Sequence, residues 1–117
     1  MPGNGYVNGS ENVQSSCRMR LEVLVAAPPT SKCKKVIGLM EEMVAAYPGK
    51  LKLDIYYAGS QLTTKPTRGF QVEGKSKKIP SSFVNGYQVA SGEIPDPDEL
   101  QEIVAREASK REEFWEQ

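Results

Sequence analysis

The chain has 117 residues, with 15 Lys plus Arg against 15 Asp plus Glu, no histidine and two cysteines. That length holds one domain rather than two, and zero formal charge gives no counterion-release drive toward nucleic acid. The missing histidine removes His-based zinc sites and the Ser–His and Cys–His catalytic pairs, and two cysteines are too few for a disulfide framework.

Residues 1–17, MPGNGYVNGSENVQSSC, are rich in Gly, Asn and Ser. They are expected to form a disordered leader ahead of a domain over 18–117. The stretch has no basic n-region and no apolar h-region, so no secretory signal is read there. No run approaches the ~20 apolar residues of a membrane span. A cytoplasmic setting, with neither membrane nor nucleic acid as partner, is the resulting expectation.

Order is expected to begin at MRLEVLVAA. Residues 23–27 are all apolar, as in a strand covered on both faces. Pro28-Pro29 stops it, since neither residue can donate a ladder hydrogen bond. A helix follows, capped by Thr30 or Ser31. Val36, Met40, Met43, Val44 and Tyr47 recur at steps of three and four and make its apolar face. Pro48-Gly49 ends it. LKLDIYYAG then alternates, with Leu51, Leu53, Ile55 and Tyr57 on one side. Strand, helix, strand predicts a βαβ unit with parallel strands and a right-handed crossover.

Residues 59–78 keep no sustained period and read as a long loop, with at most a short element near Phe70–Val72. At IPSSFVNGYQVASG, Asn85-Gly86 is a two-residue hairpin signal between short arms. In PDPDEL, Asp96 caps, Pro97 takes the first helical position and Glu99 completes a capping box. Leu100, Ile103, Val104, Ala108 and Phe114 form the expected buried stripe of the last helix. Its tail, SKREEFWEQ, is polar and is expected to fray. The acidic set Glu93, Asp96, Asp98 and Glu99 fits a helix cap better than a metal loop.

The order β-α-β, loop, β-β-α, in an α/β chain, resembles the thioredoxin-like superfamily: a four-stranded mixed sheet flanked by helices. Three local features carry the resemblance, one of them the order of hairpin, glycine and acidic-capped final helix, which resembles the glutaredoxin C-terminal half. In VLVAAPPTSKCKKV, a buried strand leads to the window Thr30-Ser31-Lys32-Cys33 and an amphipathic helix, which resembles the C-x-x-C-K segment of thioredoxins and glutaredoxins. In KIPSSFVNG, Ile79-Pro80 resembles the segment around their cis-proline. The likeness covers roughly residues 19–110. It implies a sheet ordered second strand, first, third, fourth, with the last strand antiparallel to its neighbour.

One departure bears on function. Thr30 stands where the family carries its attacking cysteine, and Cys33 stands at the resolving position. A dithiol cycle needs two sulfurs. Cys17 precedes the first strand and Cys33 follows its far end, roughly 25 Å away. A disulfide needs Cα atoms within about 7 Å. The resemblance therefore implies a monothiol or degenerate T-x-x-C site: Cys33 and Thr30 as the chemical pair, Ser31, Lys32, Lys34, Ile79 and Pro80 as the binding surface. No resident cofactor is expected. Glutathione or a protein thiol or disulfide is the expected partner, with Lys32, Lys65, Lys75, Lys77 and Lys78 as attractors for an anionic one. Against that stands the reading of Cys33 as a small apolar residue tucked under the helix. On that reading the domain is a non-catalytic binding or adaptor module that grips a protein segment near Pro80. Whether the chain is an enzyme is left open by the residues.

Overall fold

The computed structural model describes residues 18–62, 64–73 and 78–117. The elements are β1 (Met19–Val25), α1 (Ser31–Ala46), β2 (Leu51–Tyr57), α2 (Arg68–Glu73), β3 (Ser81–Val84), β4 (Tyr87–Ser91) and α3 (Pro97–Ala108), followed by a 3₁₀ turn at Glu112–Phe114. The sheet order is β2-β1-β3-β4. β1 and β2 are parallel, with Met19 opposite Leu51. β3 runs antiparallel to β1, and β4 antiparallel to β3. The order and directions are those expected from the sequence. Cys17, the leader and the loop lysines Lys75 and Lys77 lie outside the described residues.

β1 is central, and both of its faces are covered. On one face Met19, Leu21, Val23 and Val25 are fully buried against Val36 and Met40 of α1 and Leu100 and Val104 of α3. Burying a side chain of this size contributes about 1.5–3 kcal/mol, so this face supplies most of the apolar drive. Thr30 caps α1. Asp96 caps α3 by accepting from the Asp98 and Glu99 N–H groups. The Asn85-Gly86 turn has φ of 51° and 79°. Both values lie in the left-handed region that a two-residue hairpin requires.

The other face departs from the expected pattern. In β2 the anticipated inner side, which lies on the main-core face, is only partly covered, with Tyr57 42% exposed, while Asp54 and Tyr56 on the other face are buried. In β1, Arg20 and Glu22 are buried beside them. The cause is α2, which the chain lays over this side. Phe70 packs edge-on to Tyr56 at 4.7 Å between ring centroids and against Phe83 at 4.9 Å. Glu22, with no solvent exposure, accepts from the Tyr56 hydroxyl at 2.6 Å, from the Thr67 N–H at 2.9 Å, and from the Thr67 hydroxyl. Arg20 Nη2 donates to the Tyr56 hydroxyl oxygen at 3.1 Å, and its guanidinium pairs with Asp54 at 2.9 Å. Burial first, and then the Glu22 carboxylate that accepts its proton, push the Tyr56 hydroxyl far above its ordinary pKa.

The C-terminal tail also differs from expectation. Phe114 is 59% exposed, and the buried ring is that of Trp115, 9% exposed. Its Nε1–H donates to the Glu107 carbonyl at 2.9 Å. Helix α3 has ended at Ala108, so the helical stripe no longer sets which ring points inward. Asn85 joins the tail to the hairpin. Its Nδ2 donates to Glu107 Oε1 at 3.0 Å and to the Phe114 carbonyl at 3.2 Å. Among the described residues no helix is long and apolar enough to cross a membrane.

Two outcomes follow. Glu22→Ala removes the acceptor for Tyr56 and Thr67 and leaves buried donors unpaired. It should cost about 3–5 kcal/mol in urea denaturation, as broken buried ionic sets do, and an unchanged midpoint would show that the network carries no stability. Glu107 is pushed up by burial, but the bonds from Asn85 and Lys110 outweigh this and hold its carboxyl below the ordinary value. A depressed folded value means stability that is present above the unfolded carboxyl pKa of about 4.3 and is lost as pH falls through the folded one. Glu107→Gln should therefore flatten the decline of stability below about pH 4.3, measured as denaturation midpoint against pH.

Candidate functional site

The site anticipated from the sequence is built where three chain segments reach one end of the sheet. β1 ends at Val25, and the chain crosses Pro28-Pro29 to enter α1. Leu24 pairs with Ser81, which brings Pro80 to the same end of β1. β4 leaves the sheet at Ser91, and Gly92 follows with φ of 76°. Two hydrogen bonds tie these segments together. Lys32 Nζ donates to the Gly92 carbonyl at 3.3 Å. The Gly92 N–H donates to the Pro80 carbonyl at 2.6 Å. The start of α1 and the Ile79-Pro80 turn therefore meet at one corner. The Ile79–Pro80 peptide bond is cis, as is Ala27–Pro28.

Within that corner Thr30 serves twice. Its hydroxyl oxygen accepts from the Cys33 N–H at 3.1 Å and so caps α1. The same hydroxyl donates to Cys33 Sγ at 3.1 Å. Burial pushes the Cys33 thiol up, but hydrogen bonds from Thr30 and from the backbone at Ala26, Thr30 and Cys33 outweigh it and hold the thiol below its ordinary value. The Cys33 side chain is nonetheless fully buried, with Val36 and Met40 in the same core.

The other anticipated residues divide by exposure. Ser31, Lys32 and Lys34 lie exposed on the first turn of α1, and Ile79 is 43% exposed, while Pro80 is buried. Lys65 is exposed. Lys78 packs against Gly92, where an added Cβ would lie 3.3 Å from its side chain. Gly92 was not among the residues singled out from the sequence. The signal for it was a glycine directly after the last strand, where a positive φ ends the ladder.

Other depressions lie away from this corner. One is lined by Arg68, Gly69, Val72, Tyr87 and Glu116 at the hairpin end. Another is lined by Arg18, Arg20, Lys52 and Gln117. Among the described residues no group of three or more His, Cys, Asp or Glu is placed to hold a metal ion. No family model matches the chain, and no curated protein matches it.

Thr30→Ala removes both the cap and the donor to sulfur. It should lower stability by about 1 kcal/mol in chemical denaturation, with Thr30→Ser restoring most of it. An unchanged Thr30→Ala protein would mean that the α1 cap contributes nothing.

Proposed function

We propose that this chain is a thioredoxin-like domain with a degenerate T-x-x-C site, and that it binds a protein segment rather than exchanging disulfides. One observation carries the reading: the single described sulfur of the site, Cys33 Sγ, is fully buried and already hydrogen-bonded. Thiol–disulfide exchange needs both thiolate character and access of the sulfur to the disulfide. The hydrogen bonds favour thiolate, but access is missing. With threonine at the exposed position of the window, no thiol of the window faces solvent.

The same geometry suits binding. Exposed Ser31, Lys32 and Ile79 surround a junction in which Gly92 is bonded to both Lys32 and Pro80. A pre-organised surface of this kind loses little conformational entropy on capture. An extended peptide segment that sets an apolar side chain against Ile79 and a carboxylate against Lys32 is the occupant we favour. Glutathione chemistry at Cys33 is the competing reading.

Selection of displayed linear peptides against the full chain separates the two. Selected peptides should bind Cys33→Ser as well as the parent and lose about tenfold or more in affinity to Ile79→Asp. Incubation of the folded Cys17→Ser chain with oxidised glutathione should leave Cys33 unmodified by mass. A stoichiometric adduct at Cys33, or peptide binding that vanishes in Cys33→Ser, would reverse the conclusion.

A further inference from the structure

We propose that residues 112–117 form a strap that fastens α2 to the sheet, and that undoing the strap lets α2 lift while β1, α1 and α3 stay folded. After α3 the chain turns back through Glu112–Phe114 and sinks Trp115 into the main core. The next residue, Glu116, lies between the hairpin and α2. Its N–H donates to Asn85 Oδ1 at 2.6 Å, and its Oε1 accepts from the Gly69 N–H at 2.8 Å. The strap is thus joined to the hairpin by its backbone and to α2 by its carboxylate.

Two glycines make this junction close. A Cβ on Gly69 would lie 1.7 Å from the Gly86 carbonyl oxygen, and a Cβ on Gly86 would lie 2.2 Å from the Glu116 carboxylate. Helix α2 touches the turn backbone directly, and the Glu116 carboxylate lies against both Gly69 and Gly86. A side chain at position 69 would collide with the turn backbone.

α2 is held weakly from within. It has six residues and buries one of them, Phe70. A helix of that length has little stability of its own. Its entry is bonded to Glu22 through Thr67 and its first turn to Glu116. Segments with few buried contacts open at the low end of a protein's range of local stabilities. Lifting α2 uncovers the Tyr56, Phe70 and Phe83 rings together with the Arg20–Glu22–Asp54 set. The strap therefore controls access to that face of the sheet, and a partner that captured Trp115 and Glu116 would open it.

The test is amide hydrogen exchange by mass spectrometry on the full chain, comparing parent, Glu116→Ala, Trp115→Ala and the exposed control Glu113→Ala. Exchange over 67–73 should rise about tenfold or more in Glu116→Ala and in Trp115→Ala. In Glu116→Ala, amides of β1 and α1 should keep the parent rates, as should all amides of Glu113→Ala; in Trp115→Ala, which also takes a ring out of the main core, 67–73 should rise further than β1 and α1. If Trp115→Ala fails to fold, Glu116→Ala decides alone. Trp115 is the sole tryptophan of the chain, so its emission in the parent also reports the strap. It should shift at lower denaturant than the loss of far-ultraviolet circular dichroism. Unchanged exchange over 67–73 in Glu116→Ala, or an equal rise in every element, would overturn the proposal, as would a Trp115 transition coincident with global unfolding.

Discussion

A carboxylate with no solvent exposure, Glu22, constrains more of this structure than any other group. Removing a charge from water costs several kcal/mol after relaxation, and the cost is recovered only when bonds satisfy the buried oxygens. Three donors reach Glu22: the Tyr56 hydroxyl, the Thr67 N–H and the Thr67 hydroxyl. Thr67 lies 45 residues along the chain, so the loop after β2 must return across the sheet to supply two of the three. That return sets the entry of α2 and brings Phe70 onto Tyr56 and Phe83. An apolar pair of similar volume would pack as firmly. What the carboxylate adds is selectivity, because another seat for Thr67 leaves a buried charge short of donors.

The two ends of the sheet are built by different means. At the Pro80 end the junction consists mainly of backbone groups, with Gly92 between Lys32 and Pro80. Backbone geometry there is fixed by the strands that deliver it, so the corner is held without any side chain having to adopt a strained position. At the hairpin end every bond has a side chain on at least one side: Asn85 bonds Glu107, the Phe114 carbonyl and the Glu116 N–H, and the Glu116 carboxylate bonds the Gly69 N–H. Each of these contacts is a single hydrogen bond that can be broken separately. The proposed recognition surface lies at the first end and the proposed moving part at the second.

Much of this was legible in the sequence, for physical reasons that can be named. The apolar run after Met19, the Thr30 cap, the Asn85-Gly86 turn and the Asp96 cap each depend on neighbours within four residues, and each appears as read. The βαβ order then limits the sheet to few topologies. Burial of Arg20, Glu22, Asp54 and Tyr56 was not legible. Polar residues that alternate with apolar ones ordinarily face water, and only a partner from 45 residues away reverses that. Trp115 was missed for a related cause. Helical spacing stops applying at Ser109, so Phe114 and Trp115 were judged by a period that no longer held. The corner itself was anticipated, but its linking residue was not, because a glycine carries no side-chain signal beyond its tolerance of positive φ.

Cys33 joins two properties that reactive thiols do not usually separate. Hydrogen bonding lowers its proton affinity, as at reactive cysteines, while its side chain is enclosed as at structural ones. The pair is explained by the cap. Thr30 must place a hydroxyl oxygen within reach of the Cys33 N–H to start α1, and the proton of that hydroxyl then has the sulfur as its neighbour. The depressed thiol value follows from helix capping and requires no selection for reactivity. Presenting Sγ to a disulfide would mean unwinding the first turn, which forfeits the cap, about 1 kcal/mol, together with the burial of a side chain in the main core. It would also break the donor to sulfur that favours the thiolate. Opening the site therefore weakens the chemistry that opening would serve, and a threonine at this position is more consistent with a closed, recognition-bearing corner than with a working redox centre.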